Sequence, residues 1–509
     1  MRNRRRLLIA VLACGALAVA IVVAVGMRLP FSSDALRRRV VSTLSDKLDA
    51  TVELDGLTLQ LFPRMQATGT GLVVRHRSAA AGPPLISVGR FIVDADLVGL
   101  WRRRIARVRL DKLAINIPPE REPRDSGPPS DYARDLVVEE LRADDATLVI
   151  LRSEADKPPR TWRMHRLRMR EVGLSTKMPF DTELTNAVPP GRIEATGTFG
   201  PWARETPGRT PVDGRFTFAE ADLGHFKGIA GTLSAKGRFG GVLERLEVDG
   251  ETDTPNFMVR LSGQEVPLRT RYHAVVDATN GNTTLDPVEA LVLDTPITAR
   301  GGVYEVEDVE GRVVKLDVTI DGGRLEDVMR MAVAAQQPPM TGGLTLATSL
   351  TIPPGDRDVV DKLELDGHFA ISRGRFSDRG VQTKINDLSR RARGVRASDA
   401  RASRVASDFK GRFRLSNGRL SLRALTFGVP GAVVELNGTY ALRRGSLAFA
   451  GNLFMDAKLS QTVSGFKSFL LKAADPFFRR NGRTRVPLKV TGTREDPQFG
   501  LDLKRVFRR

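Results

Sequence analysis

From about residue 136 onward, apolar and polar positions alternate with hardly a break. Leu148 and Ile150, Phe216 and Phe218, Leu246 and Val248, and Leu316, Val318 and Ile320 stand two positions apart. The pattern goes on through Leu363, Leu365, Phe369 and Ile371, then Phe413 and Leu415, then Leu447, Phe449, Leu453 and Met455. Earlier in the chain, Leu57, Leu59 and Leu61 alternate with Thr58 and Gln60, and Leu113, Ile115 and Ile117 repeat the spacing. Successive strand side chains point to opposite faces, so this period predicts half-buried antiparallel sheet over most of the chain. Asp249-Gly250, Asn280-Gly281, Asp366-Gly367, Asn417-Gly418 and Asn437-Gly438 read as hairpin turns between such strands. Similar Gly-centred segments recur without a strict period, which predicts a β meander and not a propeller.

A sheet with one apolar face has to cover it. Only a few intervals carry a helical period. Leu36, Val40, Leu44 and Leu48 form a stripe on a helix from Ser33 to Leu48. Further helices are expected over Arg324–Gln336, over Lys384–Arg404 and over Ala457–Ala474, the last with Leu459, Val463, Phe466 and Leu470 on one side. That is too little helix for so much strand. The apolar face must meet a second sheet, itself after curling, or a ligand.

Residues 7–27 are apolar and uncharged, long enough to cross a bilayer at about 1.5 Å per residue. Arg2, Arg4, Arg5 and Arg6 precede them and Arg28 follows, which predicts a cytoplasmic N-terminus and a body on the far side. A cleaved signal would have a shorter core and a small-residue exit site. A lipoprotein cysteine would end the core, whereas Cys14 sits in its middle. It is also the only cysteine, so no internal disulfide forms.

The chain carries 79 Lys and Arg against 60 Asp and Glu, a formal charge of +19. That balance suits an anionic partner, and the expected topology favours a lipid surface over nucleic acid. Arg37, Arg38 and Arg39 stand close to the expected membrane exit and are candidates for headgroup contact, together with Phe466 and Leu470 of the C-terminal helix. The five histidines show no metal-ligand spacing, and no cofactor-binding fingerprint is present. Ser464 and Lys467 match the Ser-x-x-Lys spacing of acyl-transfer enzymes, but their companion motifs are missing. No catalytic, cofactor or metal residues are expected.

The opening VELDGLTLQLFPRMQATGTGLVV, after an anchor and a short amphipathic helix, resembles the N-terminal domain of AsmA-like proteins of Gram-negative envelopes. The similarity extends over Val88–Leu100 and Ile105–Ile117. At the other end, LSRRARG, the stretch with VPGA at Val429–Ala432, and Val486–Asp502 resemble the family's C-terminal region. The resemblance implies a non-enzymatic member of the chorein-type bridge-like lipid-transfer proteins. Their elongated antiparallel sheet curls into an open, apolar-lined trough, the β-taco. It implies phospholipid as cargo and the inner and outer membranes as its two ends. It also implies a role in outer-membrane integrity, or alternatively in outer-membrane protein assembly with an envelope partner.

On this reading the chain divides into a cytoplasmic tail (1–6), an anchor (7–27) and an AsmA-like N-terminal domain (28–117). A Pro-rich linker (118–135), a central β groove (136–380), a basic helical or loop insert (381–408) and an AsmA-like C-terminal β region (409–509) follow. Leu57, Leu59, Leu61, Phe216, Phe218, Leu246, Val248, Leu363, Leu365, Phe369, Phe413, Leu415, Leu447, Phe449 and Leu453 are then the groove-lining candidates.

Overall fold

The computed structural model describes residues 33–48, 50–60, 65–76, 84–117, 136–150, 160–203, 206–306, 309–393, 405–456, 479–480, 483–493 and 496–501. The expected anchor, the 118–135 stretch, Leu61, and the expected helix with Phe466, Leu470, Ser464 and Lys467 lie outside these residues. Among the described residues, no helix is long and apolar enough to cross a membrane.

The fold is mainly β, a large and almost wholly antiparallel sheet with few helices. The chain splits into two compact units. The first comprises Met1–His225, Leu233–Thr252 and His273–Asn282; the second comprises Phe226–Thr232, Asp253–Tyr272 and Thr283–Arg509.

The first unit opens with helix α1 (Ser33–Leu48), as the stripe predicts, and strands β1 (Ala50–Glu53), β2 (Gly56–Gln60), β3 (Met65–His76) and β4 (Ile86–Ala95). A five-residue helix α2 (Leu97–Trp101) leads to β5 (Arg104–Ile117), β6 (Val137–Ile150), β7 (Arg160–Val172), β8 (Met178–Thr185), β9 (Arg192–Phe199) and β10 (Pro211–Asp222). β1 and β2 both pair with one edge of β3, and β3 to β10 then pair in sequence. β5 and β6 are parallel, a departure from the expected all-antiparallel meander. A parallel return needs a connection of a dozen or more residues, which the 118–135 stretch is long enough to supply.

Where the units alternate along the chain come β11 (Ile229–Ala230), β12 (Thr232–Val242), β13 (Arg245–Val259) and β14 (Gln264–Asp277). The second unit continues with β15 (Asn282–Val292), β16 (Thr295–Val306), β17 (Val309–Arg324), helix α3 (Leu325–Ala332) and β18 (Met340–Ile352). Helix α4 (Val359–Lys362), β19 (Glu364–Phe376), helix α5 (Arg379–Ala392), β20 (Ser407–Ser416), β21 (Arg419–Val429), β22 (Ala432–Ala441) and β23 (Ser446–Met455) follow. β24 (Arg479–Arg480), β25 (Arg483–Thr493) and β26 (Pro497–Leu501) complete it. Strands β15 to β23 pair consecutively and antiparallel, β25 extends the ladder from β23, and β26 from β25.

Two expected helices are re-bounded. α3 ends at Ala332 and not at Gln336, because β-branched Val333 turns extended (φ −121°, ψ 128°) ahead of Pro338-Pro339. α5 begins at Arg379 and not at Lys384: the Asp378 carboxylate accepts from the Val381 N–H at 2.8 Å and caps the helix earlier. Asn280-Gly281 and Asn417-Gly418 do form turns, with positive φ at Gly281, Asn417 and Gly418. Asp249-Gly250, Asp366-Gly367 and Asn437-Gly438 do not; they lie inside β13, β19 and β22. Gly438 sits opposite Phe449, and a Cβ built on it would lie 2.5 Å from that ring and 2.3 Å from the Ala448 carbonyl oxygen. The missing side chain makes room for an aromatic neighbour, not for a turn.

Candidate functional site

Cross-strand partners in register share a face, so the pairings trace which side chains line up. In the first unit one row runs Leu57, Gly69, Phe91, Leu110, Ala143, Leu167, Thr182, Ala195 and Phe216. A parallel row holds Met164, Leu184, Ile193 and Phe218. Leu59 opens a third, with Ala67, Val93 and Val108. In the second unit one row runs Leu316, Leu350, Leu365, Leu415, Leu420, Tyr440 and Leu447. Its neighbour runs Val318, Thr348, Gly367, Phe413, Leu422, Gly438, Phe449 and Val490. None of these rows contains a charged side chain.

The charges occupy the other face and the margins. Arg166 meets Asp181 at 3.1 Å, Lys236 meets Glu251 at 2.7 Å, and Arg414 pairs with Asp366 directly across β19 and β20. Glu140 accepts from Arg107 at 2.8 Å and from Arg142 at 2.6 Å. Burial pushes its carboxyl up, but the two guanidinium hydrogen bonds outweigh this and hold it below the usual range. Asp361 is held low by its hydrogen bonds from Arg443 at 2.7 and 2.6 Å, and Asp249 by those from His273 and Arg238.

These depressed carboxylates fix the sign of the acid response. The unfolded chain binds protons at a higher pH than the folded one, so their stabilisation is complete above the unfolded values and lost as pH falls through the folded ones. With unfolded values of about 3.9 for Asp and about 4.3 for Glu, the melting temperature should be level above about pH 5 and drop below it. Thermal melts of the Asp361→Asn and Glu140→Gln variants should show a shallower drop. A slope identical to the parent's would contradict the assignment.

The apolar face is not uniformly covered. In the first unit α1 lays Leu36, Val40 and Leu44 into one core with Leu57, Phe91, Val93, Val108, Leu110 and Leu141. Phe91 and Val108 are 0% exposed there. From β8 to β10 the same face is only half-buried at Ile193, Ala195, Phe216 and Phe218. Phe216 and Phe239 pack against each other with ring centres 6.4 Å apart. Leu246 and Val248 are half-buried between exposed Arg245 and Glu247.

The second unit repeats this contrast. α3 covers a core of Ile320, Leu344 and Ile371, with Phe369 and Phe409 packed against it. α5 contributes Ala392, Ile385 and Leu388 over Val434, Leu453, Met455 and Val486. Beside those cores, toward the other ends of the same strands, Leu316, Leu350, Leu365, Leu420, Leu422, Tyr440, Leu447 and Phe449 stay half-buried.

The groove candidates therefore fall into distinct groups. Phe216, Phe218, Leu365, Leu447 and Phe449 lie on the half-buried apolar face, as do Leu246 and Val248 by their alternation with charged residues. Leu59 and Phe369 are half-buried against the helix-covered cores. Leu57 and Leu453 are sealed inside those cores, so protein already fills the space beside them. Phe413 and Leu415 are buried at 8% and 5% exposure, Phe413 against Phe369 with ring centres 6.2 Å apart. Leu363 is not on a strand: it closes α4, its N–H bonded to the Val359 carbonyl at 2.8 Å.

Among the surface candidates, Arg37 is tied inward. It donates to the Leu54 carbonyl at 3.0 Å and pairs with Asp34 at 3.7 Å. Arg38 and Arg39 are exposed.

Among the described residues, no three His, Cys, Asp or Glu side chains gather as a metal site. No family model, curated protein or solved structure matches this chain.

Proposed function

We propose that this protein is a membrane-anchored, non-enzymatic phospholipid carrier of the bacterial envelope. Residues 7–27 hold it in the inner membrane and its β body stands in the periplasm. The sheet curls into an open groove that takes acyl chains on its apolar face, so that phospholipid moves between inner and outer membranes. The observation that carries this reading is a charge-free face on which Phe216, Phe218, Leu365, Leu447 and Phe449 are only half-buried, apart from the stretches that α1, α3 and α5 cover. Packing against a second interlocked sheet would bring those residues to the burial of Phe91 and Val108, which a protein layer does seal.

The energetics suit a conduit. Burying one CH₂ is worth about 0.8 kcal/mol, so a chain of about 16 carbons favours such a face over water by about 12 kcal/mol. A bilayer offers nearly the same, so exchange between membrane and groove is close to neutral. The small helices then act as local covers. The resemblance to AsmA-like proteins points the same way.

Native mass spectrometry of the full chain released from membranes tests the proposal. Co-purifying phospholipid is the expected result. A lipid-free body carrying a captured outer-membrane strand would replace the carrier with an assembly scaffold, in which a sheet edge pairs with its client.

A further inference from the structure

We infer that helix α2 is a second membrane contact, a docking tip that dips into the surface of an anionic bilayer. In this helix Leu97, Val98 and Trp101 are 72%, 59% and 84% exposed. Isolated exposed apolar residues are ordinary, but three within five positions form a patch. The helix is built to present them. Asp96 caps it, accepting from the Gly99 N–H at 2.6 Å. Leu100 packs into the core of the first unit, and at Gly99 the helix lies so close to β5 that a Cβ would sit 2.9 Å from the Arg104 carbonyl oxygen. The remaining three side chains are turned outward.

Two independent observations name a membrane as the occupant. The first is charge. Arg102 follows the patch directly, is exposed, and has no carboxylate partner among the described residues. Tryptophan beside basic residues is the composition of a bilayer interface, where the ring sits at headgroup depth and the cation meets anionic lipid.

The second is position. The Leu54 carbonyl accepts from Arg37, and the Ser45 hydroxyl accepts from the Val52 N–H at 3.3 Å, so α1 runs antiparallel to β1 and β2. Its Ser33 end therefore points the way β2 runs, toward Gln60. Gln60 pairs with Gln66, and neighbouring Met65 pairs with Ala95. The start of α1, with exposed Arg38 and Arg39, thus lies at the same end of the sheet as the tip. In the sequence only five residues, 28–32, separate the apolar 7–27 segment from Ser33. The tip rests on the proposed anchor for a bilayer nearby, but it does not require the body to carry lipid.

The chain has three tryptophans, so Trp162→Phe with Trp202→Phe leaves Trp101 as the only one. That full-length variant is reconstituted into phosphatidylcholine–phosphatidylglycerol vesicles with or without brominated acyl chains. The expected result is a blue-shifted Trp101 emission that loses most of its intensity to brominated lipid. The loss should grow with the phosphatidylglycerol fraction and shrink in Arg102→Glu. Leu97→Asp with Val98→Asp should remove it while leaving the melting transition in place, since both side chains are already exposed. Flotation with the vesicles but unquenched Trp101 overturns the tip alone. Failure to float overturns the anchor and the tip together. A blue shift that follows protein concentration and ignores bromination assigns the patch to a second copy of the chain, and also overturns the inference.

Discussion

Phe449→Asp should slow phospholipid transfer by about two orders of magnitude while the protein stays folded. Phe449 is half-buried in the row Gly438, Phe449 and Val490, outside the core that α5 closes. If acyl chains pass over this row, a carboxylate there must be stripped of water by each of them. An Asp in a hydrocarbon setting costs about 2.5–3.5 kcal/mol, and each 1.36 kcal/mol is a factor of ten in rate. The assay is movement of labelled phospholipid between donor and acceptor vesicles by the full chain, with circular dichroism as the folding control. A folded variant with an unchanged rate would remove this row from the path. Leu453, four residues on, is the wrong place for the same experiment. It lies in the core beneath α5, so Leu453→Asp should unfold that region and report nothing on lipid.

The second large effect separates covered from uncovered stretches of one face. Phe91 and Phe216 stand in the same cross-strand row of the first unit, and sequence alone treats them alike. Phe91 is 0% exposed, and its ring lies where a Cβ on Gly69 would be. Phe91→Ala leaves a cavity that α1 and the neighbouring strands cannot fill, and should cost about 3–5 kcal/mol. Phe216 is half-buried, and no helix among the described residues packs over it, so Phe216→Ala in lipid-free protein should cost less than half as much. Denaturant melts of both variants compare them directly. Equal costs would mean that Phe216 is sealed as firmly as Phe91, and the open face would be lost with it.

Phe216 and Phe91 also mark what the sequence made legible. Period two located the strands and their face, because parity is a property of neighbouring residues. The Leu36, Val40 and Leu44 stripe located α1 for the same reason. Cover was not legible: Leu57 and Phe216 share one alternation, as do Leu453 and Phe449, yet one of each pair is sealed. Burial there depends on where α1 and α5 dock, which no local period records. The parallel pairing of β5 with β6 was hidden likewise, since alternation says nothing of the partner's direction. α2 was not legible because five residues show no helical period, though Asp96 three positions before Gly99 is a cap signal. Asp366-Gly367 and Asn437-Gly438 misled because the same dipeptides serve tight turns and crowded strand positions, where a Cβ would meet the Ala347 carbonyl oxygen at 2.3 Å or the Phe449 ring at 2.5 Å.

The central claim is that one face of the β body is apolar, uncovered and occupied by lipid. The most direct test places a photocrosslinking phenylalanine at successive positions of β23 in living cells, at Ser446, Leu447, Ala448 and Phe449. Leu447 and Phe449 share the apolar face, and Ser446 and Ala448 are exposed on the other. The account predicts phospholipid adducts at Leu447 and Phe449 and none at Ser446 and Ala448. Adducts without that alternation, or none at any position, would contradict it.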